Sequence, residues 1–301
     1  MIVDVHCHIW ERSMVTGDME KMLHSVNAHF GLQDLENIFD GSPERLLADM
    51  DEAGIDKSVI LALDPEFTYG AEMTFPAYND YVGGLIREHR DRLIGLAGID
   101  PRRGKAAISE LDRCVEGMGF RGVKMWPVTG FYPDDEAFYP FYQRVEQLGA
   151  VVLCHTGMGP PPTYLKFNRP VYLDKVAVDF PGIKIIMAHV GQPWVEEAVG
   201  VAYKNPNVYV DISGWQLSFK KVPLALAQCL AMAKATHGGV GKILFGSDWP
   251  LFTEVMSQKE WVETIRSLEH PPPLQLMGLP EVTEEDKDMI LGRNAAEVLG
   301  L

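Results

Sequence analysis

Val3-Asp4-Val5-His6-Cys7-His8 is a short apolar run that ends in His-x-His. Side chains alternate faces along a strand, so Asp4, His6 and His8 are expected on one face, with Cys7 on the other. Two imidazoles one pleat apart can grip a single metal ion. Three further apolar runs end in a possible ligand: Val151-Val152-Leu153-Cys154-His155, Ile185-Ile186-Met187-Ala188-His189 and Ile243-Leu244-Phe245-Gly246-Ser247-Asp248. One His-x-His says little, but four strand ends offering four histidines and an aspartate form a constellation.

Outward from these runs, period and punctuation mark eight strands: Ile2–His6, Ser58–Leu63, Leu93–Ile99, Gly122–Met125, Val151–His155, Lys184–His189, Val208–Ile212 and Ile243–Phe245. Most are apolar on both faces, as parallel strands covered by helices are. The segments between them carry helical spacing. Ser42-Pro43 offers an N-cap and a first-turn proline, Leu46, Leu47, Met50 and Ala53 form a stripe, and Gly54 stops the helix. Similar stripes lie in Lys105–Gly117, after Pro193, and in Leu224–Ala235. Asn294 with Glu297 reads as a capped start to the last helix, and Pro271-Pro272-Pro273 as a rigid loop. The fold class is α/β: the alternation predicts a single-domain (β/α)8 TIM barrel over residues 1–301, in which all strand ends open on one face. An open doubly wound sheet would leave ligands from distant strands hard to converge.

About fifty residues separate His8 from the second strand. The part of this long loop from Ile9 to Gly41 carries Trp10, His24, His29, Phe30 and Phe39, and is expected to form a lid or substrate loop over the barrel mouth.

With 47% hydrophobic and 23% charged residues the chain can build a sizeable core. A net charge of −15 argues against nucleic acid or an anionic membrane as partner. Cys7, Cys114, Cys154 and Cys229 form no CxxC pair, which suits a reducing compartment. No signal peptide or membrane-spanning run is read, so the expected setting is cytoplasmic, with a homodimer as the expected assembly and a small molecule as substrate.

A His–His–His–Asp set drawn from the four histidines His6, His8, His155 and His189 and from Asp248, with an open position, fits a catalytic divalent metal, first Zn²⁺, with Mn, Fe or Co also compatible. Such an ion brings bound water to a pKa of roughly 7. Asp248 could accept a proton from that water and later return it to the leaving group. Lys124, in Gly122-Val123-Lys124-Met125-Trp126-Pro127, falls among the ligands. It could bridge metals as a carbamate, bind a substrate carboxylate, or pair with an acid. Asp4 is expected to orient ligands from beneath the metal. Trp126, Trp215, Trp249 and Tyr69 are placed near strand ends as possible pocket walls, while Lys166 and Arg169 read as solvated loop residues.

The motifs Asp4-Val5-His6-Cys7-His8, Leu153-Cys154-His155-Thr156-Gly157, Met187-Ala188-His189-Val190-Gly191 and Phe245-Gly246-Ser247-Asp248-Trp249-Pro250 resemble the signature of the amidohydrolase superfamily. More narrowly, the chain resembles the amidohydrolase-related group that includes aminocarboxymuconate-semialdehyde decarboxylase and other aromatic-acid decarboxylases, alongside lactonases, hydratases and C–C hydrolases. The resemblance implies that His6, His8, His155 and Asp248 bind one metal. His189 is then a catalytic or substrate-contacting histidine; in dinuclear branches that position binds a second metal and the lysine is carboxylated. One ion is therefore the first expectation, with two as the alternative. Hydrolysis of an amide, ester or lactone by metal-bound hydroxide is the first expected reaction. Decarboxylation of an unsaturated or aromatic acid is the second, because no counterpart of the decarboxylases' carboxylate-binding arginine is placed. A barrel without activity is the third.

Overall fold

Eight parallel strands pair in sequence order: β1 (Val3–Cys7), β2 (Lys57–Leu61), β3 (Leu93–Gly98), β4 (Gly122–Met125), β5 (Val151–Cys154), β6 (Ile185–Met187), β7 (Val208–Asp211) and β8 (Ile243–Leu244). Each lies within two residues of its expected bounds. The computed structural model describes residues 1–15, 17–30, 38–69, 75–237 and 239–301. Beyond Leu244 the backbone rejoins β1: Val5 N–H donates to Phe245 O (3.0 Å), Asp248 N–H to His6 O (2.8 Å) and His8 N–H to Trp249 O (2.7 Å). The sheet is thereby a nearly closed barrel of the TIM type, a single domain.

Alternate strand residues fill its interior: Val3, Val5, Val59, Leu61, Leu96, Leu153, Ile186 and Leu244 cluster there. Ala295, Val298 and Leu299 of the last helix (Asn294–Leu299) complete that cluster at the N-terminal ends of the strands, where Lys184 Nζ donates to Glu297 O and Val298 O. Burying each such aliphatic side chain is worth about 1.5–3 kcal/mol. The opposite strand faces pack on the surrounding helices. In Pro43–Ala53, for instance, Leu46, Met50 and Ala53 are buried and Gly54 ends the helix in the left-handed region at φ 68°.

Four local readings change. β1 does not alternate strictly, because its register on β2 shifts between Asp4 and Cys7. Val3 and Val5 face the interior, whereas the Asp4 carboxylate accepts from Gln258 Nε2 (3.0 Å), a side chain that also touches Cys7 Sγ. Asp4 thus shares the outer side with Cys7, and the bulge turns His6 inward. The first long connection is not all loop: Gly17–Phe30 is a helix. Pro272–Leu276 is a short helix rather than a rigid loop. Asn294 caps nothing: its buried Nδ2 donates to Val240 O and Ile243 O, inside a helical run that enters from Met289–Arg293. Among the described residues no helix is long and apolar enough to cross a membrane.

Candidate metal centre and active site

The bulge in β1 and the ends of β4, β5, β6, β7 and β8 bring His6, His8, Lys124, His155, His189, Asp211 and Asp248 to the C-terminal mouth of the barrel. His6, His8, Lys124 and Asp248 are buried there, and His155 is 9% exposed. His189 and Asp248 lie just past their strands in the left-handed region, at φ 61° and 58°. Histidine and aspartate tolerate that conformation better than most residues, at a cost of order 1 kcal/mol each, and it folds both side chains back over the mouth.

Hydrogen bonds set which imidazole nitrogen is bare. His8 Nδ1 lies 3.1 Å from Leu61 O, so Nδ1–H donates and Nε2 carries a lone pair. His6 Nδ1 lies 3.0 Å from Asp211 Oδ2 and donates likewise. Asp248 Oδ1 sits 3.4 Å from His6 Nε2 and 3.3 Å from His8 Nε2, yet makes no hydrogen bond. Three lone-pair-bearing atoms therefore converge, each within 4.8 Å of the others. Lys124 Nζ, 3.2 Å from His6 Nε2, reaches one of the three, while the buried Asp248 Oδ1 is left without a donor. The residues fit a divalent metal on that ground.

Charge follows the same pattern. Burial, with Lys124 adding to it, pushes His6 down to about 3, so the ring is neutral and able to ligate. Burial would raise Asp248, but His6, His8 and His189 outweigh it and hold the carboxylate ionised. Asp211 is likewise ionised: burial opposes, and His6, His189 and Ser213 prevail. Lys124 Nζ lies 3.2 Å from His6 Nε2, and burial lowers its pKa to about 8 against the pull of Asp248 and Asp211.

His155 and His189 form a second pair. His155 Nε2 lies 2.7 Å from Met158 O, which leaves Nδ1 facing His189 Nε2 at 3.3 Å. His189 Nδ1 is held by Ser213 Oγ (2.8 Å) and Ser213 O (3.1 Å). A proton shared between the two rings, or a cation between them, closes that contact. His155 lines the same cavity as His6 and His8 but lies outside the tight group they form with Asp248.

Above the cluster is a cavity of about 130 Å³. Its walls come from Trp126, Met158, Pro160, Gln192 and Phe252, and from Trp10, Met22, Leu23 and Val26 of the first long connection. The expectation that this connection overhangs the mouth is met by a helix rather than a loop. Trp215 is not a wall: its indole N–H donates to His189 O (2.9 Å) from behind. Trp249 is buried on Asp49 Oδ2 (2.8 Å). Lys166 lies over the Phe167 ring and Arg169 pairs with Glu197, both away from the cavity. The side chains of Tyr69, His29 and Phe30 lie outside the described residues. Asp4 accepts backbone N–H from His6 and Ser247 (both 3.0 Å), tying β1 to β8 rather than orienting an imidazole. Sequence reasoning missed Asp211, Ser213 and Gln258. Asp211 had a signal, since Val208-Tyr209-Val210-Asp211 repeats the apolar run ending in an acid.

The chain belongs to the amidohydrolase family, whose profile matches residues 3–301. It is 23% identical over 337 residues to the 2-amino-3-carboxymuconate-6-semialdehyde decarboxylase of Dictyostelium discoideum, covering 99% of this chain and 84% of that one. It is 24% identical over 270 residues to the gamma-resorcylate decarboxylase of a Polaromonas strain, covering 71% and 78%. Among solved structures it is similar to a dihydroxybenzoic acid decarboxylase from Polaromonas with bound manganese and 2-nitroresorcinol, at TM-score 0.68 and 20% identity, over 100% of this chain and 97% of that one.

Proposed function

We propose that the protein is a metal-dependent, non-oxidative decarboxylase of an unsaturated or aromatic carboxylic acid. The observation behind this reading is the cavity. Its walls of Trp126, Phe252, Met158 and Leu63 suit a flat apolar ring, and its floor of Lys124 and the His6–His8–Asp248 group suits one anionic end. The two decarboxylase relatives support the same reaction over hydrolysis, the first expectation from the sequence.

We assign one divalent cation to His6, His8 and Asp248, with His155 as the further ligand from β5. Manganese, bound in the Polaromonas structure, is the first metal to test, ahead of zinc. When bound, the cation would neutralise and orient the anionic oxygens of the substrate. Lys124, with a pKa of about 8, keeps its proton at neutral pH and adds a second positive charge for the carboxylate. Trp126 and Phe252 orient the ring and exclude water. His189, steadied by Ser213 and Trp215, delivers a proton to the carbon that bears the carboxylate. The bond from that carbon to the carboxyl group then breaks, its electron pair stays on the ring carbon, and CO₂ leaves.

Manganese-loaded protein incubated with 2,6-dihydroxybenzoate and related unsaturated acids should release CO₂. His189→Asn should cut turnover about 10²–10⁴-fold while metal content stays the same. Hydrolysis of lactones or esters without CO₂ release from any of the acids would overturn the reading.

A further inference from the structure

The end of the barrel opposite the catalytic mouth carries a second cleft, of about 630 Å³. Lys57 opens β2, Leu93 opens β3 and Arg121 directly precedes β4, so the cleft sits at the N-terminal ends of three neighbouring strands. Arg87 and Arg90, at the end of helix Phe75–Glu88 and just beyond it, line its rim. The chain as a whole is strongly acidic, at −15, and most of its arginines are neutralised locally. Arg102 pairs with Asp100, Arg103 with Asp64, and Arg144 with Asp112. Arg87, Arg90 and Arg121 make no side-chain hydrogen bond or ion pair among the described residues, and neither does Arg266, which lies elsewhere. Asp80, the acidic side chain in the cleft wall, is taken by Arg113, and the terminal residue Leu301 also lines the cleft.

Three exposed guanidinium groups without an ion-pair partner among the described residues stand around one concavity, beside the Lys57 ammonium, which donates to Asp91 O. A multiply charged anion would supply the counter-charge that the three lack. The guanidinium fork matches the oxygens of a phosphate two at a time. Part of the wall is backbone only: at Gly84, Gly117 and Gly119 a side chain would meet open space, so a ligand can approach the main chain closely. The volume exceeds what a single phosphate fills.

We propose that this cleft is a binding site for a small anion carrying at least two phosphate groups, separate from the catalytic mouth. The test uses the metal-loaded full chain and inorganic pyrophosphate as probe, at fixed ionic strength. Modification of arginines by phenylglyoxal is mapped by mass spectrometry. Pyrophosphate should slow modification of Arg87, Arg90 and Arg121 by about tenfold and leave the exposed Arg266 unaffected. Calorimetry should show a saturable component that weakens about tenfold, roughly 1.4 kcal/mol, in the Arg90→Ala, Arg121→Ala double variant, with unfolding temperature unchanged. Equal protection of Arg266, or pyrophosphate binding unaffected by the double variant, would overturn the site. Protection by citrate but not by pyrophosphate would overturn its assignment to phosphates.

Discussion

Asp211 holds two parts of the site with one carboxylate. Oδ2 faces His6 Nδ1 at 3.0 Å, while Oδ1 accepts the backbone N–H groups of His189 (3.1 Å) and Ser213 (2.9 Å). Asn at this position keeps the shape but gives up the charge that fixes the His6 tautomer. Asp211→Asn should therefore weaken manganese binding about 10–100-fold, measured by calorimetry on the chelated and reloaded protein. Unchanged affinity would show that His6 needs no partner. Lys124→Ala, by contrast, should leave one metal per chain, since the account keeps this lysine as a cation; a drop from two equivalents to one would instead mark it as a bridging carbamate. Asp4 supplies a pH test. Burial raises its pKa from 3.8 to about 6, against the hydrogen bonds from Ser247 and His6. The folded chain thus holds this proton more tightly than the unfolded chain. The stability it contributes is complete below about pH 4 and is lost as pH rises through 6. In the chelated protein, Asp4→Asn should flatten denaturant midpoints across that window. A slope identical to the wild type would assign the pH dependence to other groups.

At the scale of elements, β4 and β5 meet closely because Gly122 has no side chain. A Cβ there would lie 1.9 Å from Val151 O, so Gly122→Ala must push the strands apart two residues below Lys124. A loss of at least about 1–3 kcal/mol, as for overpacked cores, should appear as a lower unfolding temperature; an unchanged one would mean the barrel relaxes freely at this point. The strands themselves were legible in the sequence because buried parallel strands are continuous apolar runs, and their C-terminal ends carry the candidate ligands. Alternation failed at Asp4 because a bulge changes the face without changing the composition. The helix Gly17–Phe30 shows Met19, Met22, Leu23 and Val26 at helical spacing, but the aromatics and histidines of the whole stretch Ile9–Gly41 drew the reading toward a loop. Asp211 was hidden because the seventh strand was carried on to Ile212, which placed the acid inside a run rather than at its end. Trp215 was misplaced for a related reason: nearness to a strand end does not say whether an indole faces the cavity or, as here, the back of His189.

The whole molecule separates two kinds of charge. Its overall −15 sits on a body whose catalytic mouth buries the neutral His6 imidazole, carboxylates and one lysine, and whose opposite end gathers arginines that have no ion-pair partner among the described residues. The fold and the grouping of candidate ligands were readable from strand ends because a barrel brings those ends to one face. The reaction was not, since one ligand set serves both hydrolysis and decarboxylation, and the difference lies in what the cavity admits. As a decarboxylase, the chain would break a carbon–carbon bond and replace CO₂ by a proton. Manganese-loaded protein should therefore be given carboxyl-¹³C-labelled 2,6-dihydroxybenzoate in D₂O enriched in ¹⁸O, with products read by mass spectrometry. Decarboxylation should give ¹³CO₂ in equal amount to a ring product that carries one deuterium and no ¹⁸O. A product that retains the ¹³C label and gains ¹⁸O would contradict it.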